Sequence, residues 1–183
     1  MNELAVLDFI QEHLTGGMGD VLMPAISFLG NGGMIWIILA LVLLLIPKKR
    51  REGLAVVIGL LAMLLLCNII LKQVVGRPRP FDVNTAVKLL VKPPSDYSFP
   101  SGHTCAAVTA AAALFFRKSR LWLPIAVAAA LMGFSRLYLY VHYPTDVLGG
   151  ALLGILCGWI GSIVCDQIMK EKSSAGVEQK NRI

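Results

Sequence analysis

Five stretches of this chain, 24–47, 53–71, 101–116, 121–140 and 147–165, are apolar with few interruptions. A helix that crosses a bilayer needs about 20 such residues, and in lipid it must satisfy its own backbone N–H and C=O groups. This pattern restricts the chain to an all-α fold, an integral membrane bundle of about five transmembrane helices. The third stretch is rich in alanine and weak on hydropathy alone. The first is interrupted by Gly30-Asn31-Gly32-Gly33, so its crossing part is expected to begin near Gly33. A partial extra span near 20–30 would reverse the N-terminal orientation without moving the rest. Composition agrees: 56% of residues are hydrophobic and 15% charged, against about 25% charged in soluble domains. The mean hydropathy is +0.71.

The flanks divide the chain into an N-terminal interfacial segment (1–23), a transmembrane domain (24–169) and a polar cytoplasmic tail (170–183) expected to be unstructured. In the first segment Leu4, Leu7, Phe9, Ile10 and Leu14 alternate with Glu3, Asp8 and Glu12 at near-helical spacing, as in a helix lying on a membrane surface. The segment carries acids and no basic leader, so no cleavable signal peptide is expected. The net charge of +6 raises the question of nucleic acid, but its placement argues against that partner. The cations fall at 48–51, at 117–120 and after 170, each abutting an apolar run, as cytoplasmic loops do. One alternating path puts all three clusters inside, leaving 72–100, the start of the third span and 136–146 outside.

Cys67, Cys105, Cys157 and Cys165 lie in apolar stretches without CxxC spacing, so neither a disulfide framework nor a zinc site is expected. Gly150, Gly154 and Gly158 recur at the interval that lets helix backbones approach in lipid. Trp36, Trp122 and Trp159 read as packing or interface anchors.

Polar residues gather at the outer ends of the spans in three places: Lys72 to Pro80, Ser98 to His103, and Ser135 to Asp146. Lys72, Arg79 and Arg136 can neutralise a phosphoryl group, the arginines through a planar fork and the lysine as a point charge. Pro100-Ser101-Gly102 reads as a helix start capped by Ser101, whose N–H groups and dipole favour an anion. Gly102 lets the backbone come close. His103 and His142 exchange protons near neutral pH. Asp146 follows His142 by four residues, so its carboxylate can hold one ring nitrogen and leave the other free to attack.

In order and spacing these residues resemble the signature of the type 2 phosphatidic acid phosphatase family, K-x6-RP, then PSGH, then SR-x5-H-x3-D. The match spans 72–146. The resemblance implies a metal-independent phosphatase without cofactors, working through a phosphohistidine. It makes His142 the nucleophile, oriented by Asp146, with His103 protonating the leaving oxygen. Lys72, Arg79, Arg136, Ser101 and the Gly102 N–H would bind the phosphoryl oxygens. Arg77 also precedes a proline; it is read as a secondary phosphate contact. Many members have six spans where this chain shows five.

The expected partners are therefore the lipid bilayer and a lipid phosphate or diphosphate. Within the family, short chains of this kind resemble undecaprenyl-diphosphate phosphatases; phosphatidylglycerophosphate and phosphatidic acid phosphatases look the same at motif level. A different class stays open: a transporter or scaffold that binds lipid phosphate without turnover. It would need the cations, but not a nucleophile with its carboxylate partner.

Overall fold

A computed structural model describes residues 3–180, with side chains as far as residue 171. Residues 1–2 and 181–183, including Arg182 of the third basic cluster, lie outside the described residues. The helices are α1 (Glu3–Leu14), α2 (Gly19–Leu29), α3 (Met34–Leu45), α4 (Arg50–Met63), a π-helical continuation (Leu64–Leu71), α5 (Lys72–Val75), α6 (Pro80–Val83), α7 (Gly102–Phe116), α8 (Trp122–Tyr138) and α9 (Pro144–Lys180). No strand occurs among the described residues.

Each apolar stretch of the sequence has become a helix, but not with equal reach. Pro47–Val83 and Pro144–Glu171 are long and apolar enough to cross a membrane. The pair Gly19–Leu29 and Asn31–Leu45 qualifies jointly, across a bend of 48°. Helices α7 and α8, of 15 and 17 residues, fall short of the usual span and sit innermost or against it. Large apolar side chains remain exposed along the bundle, with Leu45 79% and Leu152 70% accessible. Apolar cover on this scale suits contact with lipid.

The centre is α7, which packs on α9, α8 and α4. Ten of its fifteen residues are buried, mostly alanines. The α9 glycines make the close approach that their spacing predicts. A Cβ at Gly150 would lie 2.6 Å from the Ser101 carbonyl oxygen, one at Gly154 2.7 Å from that of Cys105, and one at Gly158 2.6 Å from the Ala113 nitrogen. Cys67, Cys105 and Cys157 are buried and free in the same core. Trp36 is buried, while Trp122 and Trp159 stay accessible.

Antiparallel alternation sorts the polar groups to two ends. At one end Ser119 Oγ donates to Glu52 (2.7 Å), Arg117 pairs with Asp166, and Cys165 Sγ donates to the Arg51 carbonyl. The first two basic clusters therefore gather there, beside the helix that leads to the third. Lys72, Ser101, Arg136 and Asp146 lie at the other end.

Three boundaries differ from expectation. Helix α2 starts at Gly19 and carries Pro24 inside it, so the bundle begins before residue 24. Helix α1 does not rest its whole apolar side on the membrane surface. Leu7 and Ile10 are buried against Tyr140 and Tyr138, leaving Phe9 and Leu14 exposed. Hydrogen bonds from Gln11 to the Tyr138 carbonyl (2.7 Å) and from Tyr140 to Asp8 (2.6 Å) fix it across the polar end. Finally, α9 continues as helix through the polar tail to Lys180.

Candidate active site

The polar end is built from chain breaks. Helix α5 stops at Gly76, whose left-handed backbone (φ 58°) returns its N–H to the Lys72 carbonyl (3.1 Å). The Arg77-Pro78-Arg79-Pro80 segment then doubles back, and α6 begins on Pro80. Helix α7 begins where Ser101, as N-cap, accepts from Thr104 N–H and Thr104 Oγ1 (3.0 Å). Its own N–H donates to the Asp146 carbonyl (3.0 Å), which ties the starts of α7 and α9 together.

Arg79 is the hub. Its buried guanidinium donates to the Asp96 carbonyl (Nε, 2.7 Å), the Asp96 carboxylate (Nη2, 2.6 Å) and the Val141 carbonyl (Nη1, 2.6 Å). Nη1 also lies 3.3 Å from His142 Nε2. Lys72 Nζ, likewise buried, pairs with the other oxygen of Asp96. His142 Nδ1 faces Asp146 Oδ2 at 3.5 Å and has no closer partner. This geometry suits an Nδ1–H tautomer, with the Nε2 lone pair turned toward the cations. Burial drives the His142 imidazole down to about 3, against the pull of Asp146, so the ring is neutral at neutral pH.

Gly102 sits close behind Lys72; a Cβ there would lie 3.2 Å from Asn68 Oδ1 and 4.0 Å from Lys72 Nζ. His103 Nε2 meets Asn31 Oδ1 at 3.1 Å. The α2–α3 break supplies this contact, because a side chain at Gly30 would collide with His103 and Met132. Arg136 donates to Ser27 of α2, and its Nε is buried without a partner. A cavity of about 510 Å³ runs from Lys72, Asp96 and His103 at its polar end to Ile37, Leu41 and Leu64 at its apolar end.

All eight predicted site residues thus lie at one end of the bundle. Arg77 needs correcting. It donates to Asp146 Oδ1 (2.7 Å), Thr145 Oγ1 (2.7 Å) and Glu3 Oε1 (2.7 Å), and its guanidinium lies 3.8 Å over the Tyr143 ring. It braces the carboxylate behind His142 rather than pairing with Asp96 as Lys72 and Arg79 do. With Ser98 Oγ and Tyr143 N–H also donating to Asp146, that carboxylate is fixed from three sides. Arg77→Ala should therefore act through Asp146. We expect kcat to fall about tenfold with KM little changed, the scale seen when a supporting hydrogen bond is lost. Steady-state kinetics on the purified variant check this, and a rise in KM alone would place Arg77 on the substrate.

Asp96, Asn31, Asn68 and Glu3 were not singled out from the sequence. Asn68 carries a signal that a closer reading could have used. It is an amide inside an apolar run, four residues before Lys72, and polar groups at membrane depth mark functional sites by default. The π-helical turn that holds it is a local distortion common at such sites. Asp96 lies in an ordinary polar loop with no spacing to recommend it.

Buried cations beside an apolar cavity are costly unless an anion meets them. Fold and site together define a helical membrane bundle with buried cations gathered at one end, two of them met by Asp96. The chain belongs to the PAP2 superfamily, which matches residues 52–169. It is 35% identical over 127 residues to an undecaprenyl-diphosphatase of Sulfolobus acidocaldarius, covering 69% of this chain and 60% of that one. It is 36% identical over 160 residues to a decaprenylphosphoryl-5-phosphoribose phosphatase of Mycobacterium tuberculosis, covering 86% and 88%. Its fold is similar to the crystal structure of a transmembrane PAP2 type phosphatidylglycerolphosphate phosphatase from Bacillus subtilis (TM-score 0.73, 27% identity), covering 91% of this chain and 85% of that one. The chain spans less than two thirds of the length of the first of these relatives.

Proposed function

We propose that this chain is a lipid phosphate or diphosphate phosphatase that works through a phosphohistidine at His142, with undecaprenyl diphosphate as its preferred substrate. The observation that carries the reading is the line from Lys72 and Arg79 through His142 to Asp146, which begins at Lys72 in the polar lining of a cavity whose other end is apolar. The cavity suits a substrate with a phosphoryl head and a hydrocarbon chain. Two of the relatives described above are named for polyprenyl substrates, which favours the polyprenyl diphosphate over phosphatidylglycerophosphate or phosphatidic acid.

In the first step His142 Nε2 attacks phosphorus, the P–O bond to the leaving group breaks, and His103 gives its proton to the departing oxygen. In the second, His103 takes a proton from water, the hydroxide attacks phosphorus, and the P–N bond breaks to release inorganic phosphate. Lys72, Arg79 and Arg136, with the Ser101 and Gly102 backbone, hold the phosphoryl oxygens throughout. The transition state spreads charge over those oxygens, so fixed cations and amide dipoles supply most of the rate. Asp146 keeps the ring oriented and stabilises the positive charge it acquires. Every step is made by side chains and water, so the reaction requires no metal.

The basic clusters sit at the end opposite the site, which supports a site facing outward across a bacterial cytoplasmic membrane. The test is phosphate release by purified protein from undecaprenyl diphosphate, phosphatidylglycerophosphate and phosphatidic acid, each with and without EDTA. We expect the first to be fastest by kcat/KM and all to be insensitive to the chelator. Absence of release from all three sinks the proposal, and a strict metal requirement sinks the mechanism.

A further inference from the structure

Asp96 lies outside the three polar clusters of the sequence, yet it touches both cations assigned to phosphate. Its two carboxylate oxygens are divided between Lys72 and Arg79. A carboxylate presents two anionic oxygens in a plane, much as a phosphoryl group presents two of its three, and an arginine fork accepts either. These donors cannot serve both anions at full strength.

The two sides of the contact differ in freedom. Lys72 and Arg79 are nearly inaccessible, at 6% and 3% of their side chains, whereas the Asp96 side chain is 52% exposed. The cations are fixed and the carboxylate can leave. Its backbone is anchored independently, because Arg79 Nε holds the Asp96 carbonyl. Rotation of the side chain toward solvent would therefore clear the site without moving the loop. The group also stays charged: burial opposes ionisation, but Lys72 first and then Arg79 hold the carboxyl at about 2.

We infer that Asp96 is a built-in competitor for phosphate. It occupies Lys72 and Arg79 between turnovers, swings out when the substrate phosphoryl binds, and returns to displace inorganic phosphate after hydrolysis. Asp96 thereby sets the affinity for substrate and product. The inference rests on the reading of Lys72 and Arg79 as phosphate-binding residues. The competing role is that of a strut which merely holds the two cations in place.

Inorganic phosphate is the probe that separates the two roles. In full-length protein, Asp96→Asn keeps the shape and the loop anchor but removes the charge. If the phosphate-accepting state is populated about one tenth of the time in the wild type, the variant should bind phosphate about tenfold tighter. The expected readouts are a competitive Ki for phosphate lowered by that factor, a lower KM, and a lower kcat from slowed product release. Asp96→Glu, which restores the competing charge, should return Ki toward the wild-type value. Direct phosphate binding to His142→Ala and to His142→Ala/Asp96→Asn should show the same tightening without turnover. A Ki that is unchanged or raised in Asp96→Asn, in a wild type that is active and phosphate-inhibited, overturns the competitor role alone. A wild type that neither hydrolyses lipid phosphates nor binds phosphate overturns this inference together with the function it rests on.

Discussion

His142→Ala should abolish phosphate release from every lipid substrate, with kcat reduced at least about 10⁴-fold, because the proposed mechanism forms its covalent intermediate on this ring. The structure says why this variant should still fold. Asp146 loses only its 3.5 Å neighbour and keeps Ser98 Oγ, the Tyr143 N–H and Arg77. The deleted ring leaves the buried carboxylate paired, which avoids the heavy cost of an isolated buried charge. The cations remain too, so phosphate binding should survive. Phosphate release and phosphate binding, measured side by side, check both halves. The variant also separates an enzyme from a lipid-phosphate carrier, since a carrier has no use for a nucleophile and would transport or bind unchanged.

The second large effect should come from Arg79→Ala. Arg79 touches Asp96, Tyr97, Val141 and His142, so on the proposed reading it both shapes the phosphate site and fixes the approach to the nucleophile. Removing one preorganised donor to a transition-state oxygen typically costs 10² to 10³ in rate. With the added loss of order around His142, we expect kcat/KM to fall about 10³-fold. Arg79→Lys should recover little, because an ammonium cannot reproduce the fork that reaches Asp96 and Val141 together. Lys72→Ala should be milder and leave measurable turnover, since Lys72 contributes a point charge through one contact. Kinetics on the three variants, with thermal unfolding run in parallel, would test this order. Equal losses for Lys72→Ala and Arg79→Ala would contradict the special place given to Arg79.

The motif spacing of the chain made the gathering of these residues at one end of the bundle legible. Lys72 and Arg79 flank a glycine that must turn the helix end, and Ser101 precedes a helix it can cap. His142 and Asp146 straddle the start of α9. Each is a local rule, and the alternating apolar runs bring the three places to one end. Three features escaped because they depend on tertiary contacts between distant segments. Arg77 and Arg79 are both followed by proline, and only the turn after Gly76 decides which reaches His142 and which reaches Asp146. Asp96 lies 24 residues after Lys72, in a loop whose path no periodicity predicts. Helix α1 has the amphipathic pattern of a membrane-surface helix, yet Glu3 is bonded to Arg77 and Thr145 across the polar end. The same pattern serves either setting, because a protein surface and a lipid surface bury an apolar stripe equally well.

The central claim is a bond between phosphorus and His142, and trapping that bond tests it most directly. Protein incubated with phosphorus-labelled lipid substrate and quenched in alkali should carry a label that is stable to base and lost in acid, as a phosphoramidate is. The label should map to His142 and be absent from His142→Ala. Label of the same chemistry on the His142→Ala protein, or turnover by the wild type with water attacking phosphorus directly and no trapped intermediate in any variant, would contradict the account.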